Sequence, residues 1–298
     1  MIHGIVARLQ NILILPDYFY ENKTMSNDIY KLWNDQRGKI RTRIGGWKIG
    51  EGVTTHGYSL CDELVGKVSY FEILILSITG KMPERRLAKW AEAVYSCMSF
   101  PDPRIWCNQI GTLAGTMRSS PISGITAGIH ASDSRMYGTG TLPASHDFLS
   151  HAMQQHRGGI DVKRIVDGQC RRPGSQPVIP GYGRPLATGD ERVLVMNDVT
   201  EKLGFEWGAC MCLAREIDQH MLQEYGESMN FATFIVVFLR DQQWSKKQTC
   251  RSTWGLVTAG VAACYSEAYD KPAETFLPLC CEDVEYRGVA SRPVPDKE

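Results

Sequence analysis

The chain has 298 residues, 43% of them hydrophobic, and its 33 Lys and Arg balance its 33 Asp and Glu to a formal net charge of zero. That length buries a sizeable core as one domain or two unequal ones. The neutral balance argues against nucleic acid as the main partner, because phosphate binding needs an electropositive face, and no apolar run approaches the roughly 18 residues that cross a bilayer.

In chain order, residues 1–24 differ in character from the rest of the chain. A short apolar run at 12–15 precedes no small-residue cleavage site, so an upstream extension is expected here rather than a secretory signal. Residues 47–51 and 52–55 carry the weak strand signals. Beyond them the periodicity is helical: Leu87, Trp90, Ala91, Val94 and Cys97 form one stripe after Pro83, and Pro101 and Pro103 stop it. Residues 122–132 and 254–269 are small and apolar nearly all round, which predicts helices packed on several sides. Asp198 is a plausible N-cap for one long or two broken helices ending at Gly226, whereas the β-branched and aromatic run 231–239 could pass for a buried strand.

The ten cysteines are scattered, with no C-x-x-C pair and no Cys/His set at zinc spacing. They read as buried free thiols of a reducing cytosol, the vicinal pair Cys280–Cys281 and Cys210-x-Cys212 included, and no metal site is expected. Residues 157–190 are the least regular stretch, rich in Gly, Pro and Arg. Within them Pro180-Gly181-Tyr182-Gly183-Arg184-Pro185 predicts a tight turn whose backbone can approach a ligand closely.

Four segments, in order over roughly residues 45–290, resemble the citrate synthase superfamily and most closely its compact citryl-CoA-lyase-like branch. They are Gly52-Val53-Thr54-Thr55-His56-Gly57-Tyr58 with the later Thr79-Gly80-Lys81-Met82-Pro83; the stretch from Asp102-Pro103-Arg104 to Tyr137-Gly138; Ile179-Pro180-Gly181-Tyr182-Gly183-Arg184 with Asp190-Glu191-Arg192; and 255–267 with the tail around Tyr286 and Gly288. The resemblance implies an all-α fold. A large helical domain (25–140 and 241–298) would carry a smaller mobile helical domain (141–240) with the CoA-type loop, in a cytoplasmic homodimer. It implies a CoA thioester as substrate, with no separate cofactor, and a carbon–carbon bond made or broken beside the thioester carbonyl by a lyase or an acyltransferase.

That chemistry needs a base for the α-proton and donors for two oxygens, which the family supplies as one Asp and two His. Carried onto this chain, the three catalytic positions become Tyr137, Arg184 and Asn230. Tyr137 and Arg184 remain donors, but Asn230 cannot take a proton, so decarboxylative or retro-aldol chemistry suits the set better than ordinary enolisation. His130, Asp133, His146 and Asp147 are candidate replacement bases. His130 reads more readily as a packed core histidine. By the same resemblance His56 and Arg192 bind substrate, and Gly181, Tyr182 and Gly183 bind CoA through backbone amides. Val257 stands where a family arginine is expected, and Glu267 matches a further family position. The alternative reading is a catalytically inactive paralogue that binds CoA or serves as a scaffold.

Overall fold

The computed structural model describes residues 29–172, 174–184 and 187–295. The expected extension at 1–24 lies outside the described residues. Helix α1 (Ile29–Gln36) leads into an antiparallel sheet of β1 (Gly45–Lys48), β2 (Gly52–Thr55) and β3 (Tyr58–Ser59), with Trp47 opposite Val53 and Thr55 opposite Tyr58. The two expected strands are present, and β3 joins them across a turn at His56, whose φ is +48°.

Helix α2 (Tyr70–Thr79) begins at a capping box, in which Ser69 accepts from the Glu72 amide and Glu72 accepts from the Ser69 amide. Gly80, left-handed, ends it. Helix α3 (Arg85–Cys97) buries the predicted stripe: Trp90 and Val94 enter the main core, while Cys97 packs at its edge. Helices α4 (Trp106–Thr116) and α5 (Pro121–Ala131) follow, then a short hairpin of β4 (Asp133–Ser134) and β5 (Tyr137–Gly138) with Ser134 opposite Tyr137.

Helix α5 is less enclosed than its sequence suggests. Only Gly124 and Gly128 are buried in this chain, whereas Ile122 and His130 are exposed, so His130 is not a core residue. Helices α6 (Leu142–Arg157), α7 (Val162–Asp167), α8 (Glu191–Lys202), α9 (Ala209–Tyr225) and α10 (Phe231–Asp241) make the main core. The two helices expected after residue 198 are α8 and α9, but α8 starts earlier, capped by Asp190 rather than Asp198. Gly226 ends α9 as expected.

The run read as a buried strand is α10. Residues 233–239 are all buried, so no polar face is left to reveal the helical period. Trp90 joins α3 to this core: its ring stacks on Phe238 at 3.8 Å, and its Nε1 donates to Thr200 Oγ1 at 3.0 Å. Helix α11 (Lys246–Ser252) leads to α12 (Thr258–Asp270), which packs against α4 and α5 around a second cluster of Cys107, Val257 and Val261. The approach is close: a Cβ at Gly115 would lie 2.4 Å from the Tyr265 carbonyl oxygen. No helix of the described residues is long and apolar enough to cross a membrane.

Of the ten free cysteines only Cys107, Cys210 and Cys264 are buried. Cys61, Cys212, Cys280 and Cys281 are exposed, so the reading of all ten as core thiols does not hold.

Candidate active site

A cavity of about 360 Å³ opens where five stretches of chain converge. They are residues 98–108 at the start of α4, residues 136–142 from the hairpin into α6, Gly183 and Arg184 with Asp190 and Arg192, the start of α10, and Leu256 with Val257. The first residues of α4 and of α10 both line it, so two helix N-termini bring partial positive charge to the same space. Helix α4 has no side-chain cap at Ile105.

One wall is charged. Asp190 is fully buried and accepts from Arg192 Nε and Nη2, each at 2.7 Å, and from the Phe231 amide at 3.0 Å. Burial pushes the Asp190 pKa up, but the hydrogen bonds and charge of Arg192, the Phe231 amide and nearby Arg184 together outweigh it. The carboxyl therefore sits below the ordinary aspartate value and is ionised. The third guanidinium nitrogen of Arg192, Nη1, meets the Met98 sulfur at 3.1 Å, a weak acceptor for a charged donor. Arg184 spans Asp190, 3.8 Å away, and Glu191, which takes both of its terminal nitrogens, at 2.5 and 3.3 Å.

A second wall, of Tyr137, Cys107 and Trp106, is neutral. Tyr137 presents its hydroxyl 3.4 Å from Cys107 Sγ, and the Trp106 ring meets the Tyr137 ring edge-on at 5.2 Å. Desolvation, reinforced by the Cys107 thiol, raises the Tyr137 pKa well above the ordinary phenol value, so the phenol keeps its proton. Burial likewise raises the Cys107 thiol. Asn108 Nδ2 donates to the Phe100 and Asp102 carbonyls at 3.2 and 3.0 Å, which fixes the chain entering α4.

Asn230 also lines the cavity and is engaged through both ends of its amide. Its Oδ1 caps α10 by accepting from the Ala232 and Thr233 amides at 3.0 and 3.3 Å, and its Nδ2 donates to the Gly183 carbonyl at 3.0 Å. The loop's backbone is tied within itself and to the same strap of chain. Tyr182 N donates to Ile179 O, Gly183 N donates to Ser228 O, and Asn230 N donates to Gly181 O. Gly181 has φ +89°, and a Cβ there would fall 1.7 Å from Thr233 Oγ1, so glycine is required.

Among the sequence-predicted site residues, Tyr137, Arg184, Arg192, Asn230 and Gly183 line the cavity together. Tyr182 does not: it is a core residue whose hydroxyl donates to the Ala214 carbonyl at 2.9 Å. Gly181 lies behind Gly183, and the amides of Tyr182 and Gly183 are already spent, which argues against CoA recognition through them. His56 is also elsewhere, its ring against Gly80 in the β2–β3 turn. None of the candidate replacement bases reaches the cavity. His130 and Asp133 are exposed, Asp147 pairs with Lys246, and His146 bonds Arg240 at 3.1 Å. Burial, with Arg240 beside it, pushes the His146 pKa down to about 4.

Asp190, Cys107 and Trp106 complete the site, and the sequence signalled only the first, through its place in Asp190-Glu191-Arg192. Val257 lines the cavity with an apolar side chain where the family carries an arginine. Glu267 lies on the surface, paired with Lys271.

Neither a family model nor a curated protein sequence matches the chain. Solved structures do. Citryl-CoA lyase from Hydrogenobacter thermophilus is similar with a TM-score of 0.71 and 21% identity, covering 86% of this chain and 97% of that one. ATP citrate lyase from Methanothrix soehngenii is similar at 0.69 and 16% identity over 98% of this chain, and citrate synthase from Thermotoga maritima at 0.56 and 14% over 76%.

The chain has the citrate synthase-like fold.

It spans nearly the whole citryl-CoA lyase but only 49% of the ATP citrate lyase and 60% of the citrate synthase. Within the citrate synthase-like fold, residues of the resemblance motifs 102–137, 179–192 and 228–230 meet at one cavity, although Arg104 and Asn230 lie 126 positions apart in sequence.

Proposed function

We propose that this chain acts on a carboxylate-bearing CoA thioester and breaks the carbon–carbon bond beside the thioester carbonyl, as a citrate synthase-like lyase. One observation carries the reading. Among the described residues, the cavity lining holds no histidine and a single carboxylate, Asp190, which is buried and held by Arg192. Two structural neighbours support the substrate class: one is a citryl-CoA lyase, and another was solved with citrate and coenzyme A.

A cavity without a free carboxylate or imidazole separates two routes. Retro-aldol cleavage begins by removing a hydroxyl proton and needs an acceptor, whereas loss of a β-carboxylate as CO2 needs none. In the second route the bond to the departing carboxylate breaks and its electron pair becomes the thioester enolate. Arg192 Nη1, now facing only a thioether, is placed to donate to the enolate oxygen. The Tyr137 phenol, held protonated by burial, delivers its proton to the α-carbon and regains one from water. The departing carboxylate sits best against the apolar lining of Ile105, Leu142, Ile235, Leu256 and Val257, where no counter-charge holds it back.

The test is incubation with malonyl-CoA, citryl-CoA, and acetyl-CoA plus oxaloacetate, reading CO2, oxo acid and free thiol. Release of CO2 that Tyr137→Phe suppresses is the expected result. Absence of turnover with every thioester overturns the reading and favours a second one, a ligand-binding paralogue. Asn230 speaks for that second reading, because both ends of its amide serve the fold.

The same proposal includes a homodimer and a division into 25–140 with 241–298 against 141–240, from both of which the cavity draws its lining. Trp106, Ile110, Leu113 and Met117 leave an apolar stripe exposed along α4 at helical spacing, which supports a second copy seated there. Light scattering in solution reads the mass directly, and a monomer would refute the dimer.

A further inference from the structure

Arg184 lines the cavity, and what holds it is unusual for a ligand pocket. Its guanidinium is only 26% exposed and lines the cavity, yet the carboxylate gripping it, Glu191, is 70% exposed and does not line it. The grip is fork-to-fork, Nη1 on Oε2 and Nη2 on Oε1, the geometry in which an arginine recognises a carboxylate. The partner's position in the chain explains how it gets there. Glu191 is the first residue of α8, directly after the buried Asp190 that caps that helix, so its side chain starts beside Arg184 and reaches it from solvent.

We infer that Glu191 is a built-in competitor for Arg184, occupying in the ligand-free chain the fork that a substrate carboxylate takes over. The reasoning is electrostatic. A carboxylate inside the cavity is less hydrated and less screened than one at the surface, so it interacts more strongly with the same guanidinium. An exposed ion pair is worth little, and giving it up is easy. Asp190, 3.8 Å from Arg184 Nη1, stays in place during the exchange and keeps the guanidinium at the cavity's edge. Arg192 cannot play this part, because two of its nitrogens are locked on Asp190. The consequence is specificity. The pocket would select thioesters that carry a carboxylate besides the one lost in the reaction, and Glu191 would set how tightly that carboxylate is held. The competitor deepens the proposed lyase function, and it rests on that function only for the thioester.

Binding is therefore measured without turnover, by calorimetric titration of the full chain with citrate and with tricarballylate. Replacing Glu191 by Gln removes the competing charge but keeps the side chain's length, and affinity is expected to rise roughly two- to fivefold, the worth of an exposed pair. In an Arg184→Ala background the same replacement should change nothing. Unchanged or weakened binding in Glu191→Gln overturns the inference, as does a gain that persists without Arg184, or no binding of either acid by any variant. Thermal unfolding of each variant confirms that folded proteins are compared. If the affinities behave as expected while no thioester turns over, the competitor stands and the lyase reading falls; turnover with equal affinities gives the reverse.

Discussion

The two walls of the cavity hold their polar groups by opposite means. At the Arg184–Asp190–Arg192 wall each charge is held by another charge, and the buried carboxylate is kept ionised against the cost of its desolvation. At the Tyr137–Cys107–Trp106 wall burial is the largest influence, reinforced at Tyr137 by the Cys107 thiol, and it keeps the phenol and the thiol protonated against the weaker pull of Arg192. The first wall is an electrostatic frame of paired charges; the second holds neutral, protonated groups. The two sets sit on different segments of the chain. Damage to one should therefore register mainly as instability and damage to the other mainly as lost chemistry.

The largest expected effect tests the frame. Asp190→Ala leaves two partly buried guanidinium groups without their common carboxylate and removes the acceptor for the Phe231 amide. Breaking such a pair costs about 3–5 kcal/mol, read as a lower denaturant midpoint. The sign with pH follows from the depressed folded pKa. The Asp190 contribution is fully present above the unfolded aspartate value of about 3.9 and is lost as pH falls through the lower folded value. In Asp190→Ala that part of the acid dependence should disappear. A variant as stable as the parent, with an unchanged acid slope, would mean that the arginines are compensated from elsewhere.

Tyr137→Phe tests the other wall. It removes a hydroxyl whose neighbour is a thiol, so stability should move by no more than about 1 kcal/mol. Loss of a positioned proton donor is worth roughly 100-fold or more in turnover. A variant that lost stability rather than rate would reverse the contrast between the walls.

How much of this was legible in the sequence divides along the same line. Tyr137, Arg184, Arg192 and Asn230 could be placed because each sits in, or directly beside, a short motif with fixed spacing. Cys107 and Trp106 could not, because they reach the cavity only through the turn of α4, about thirty residues from Tyr137 in sequence. The misread helix α10 has a different cause. Amphipathic period is a signal of partial burial, and a helix enclosed on all sides, from Thr233 to Leu239, has none to show. The loop's glycines were noticed for their conformational freedom. What their backbone amides and carbonyls bond to, Ser228 and Asn230, depends on a second strap of chain that no local pattern announces.

The smallest expected effect lies at Asn230, and it separates two jobs that one side chain performs. Its oxygen caps α10 and its nitrogen tethers the Gly183 carbonyl. Asp caps a helix about as well as Asn, so Asn230→Asp keeps the first job and loses the second, whereas Asn230→Ala loses both. The cap is worth about 1 kcal/mol and the tether about as much again, so stability should fall in the order parent, Asp, Ala, with Ala near 2 kcal/mol below the parent. Denaturant titration of the three proteins resolves those steps. If Asp costs as much as Ala, the cap contributes nothing measurable and the tether is what Asn230 supplies. The departure from the family's carboxylate would then be the means by which the Arg184 loop is tied to α10.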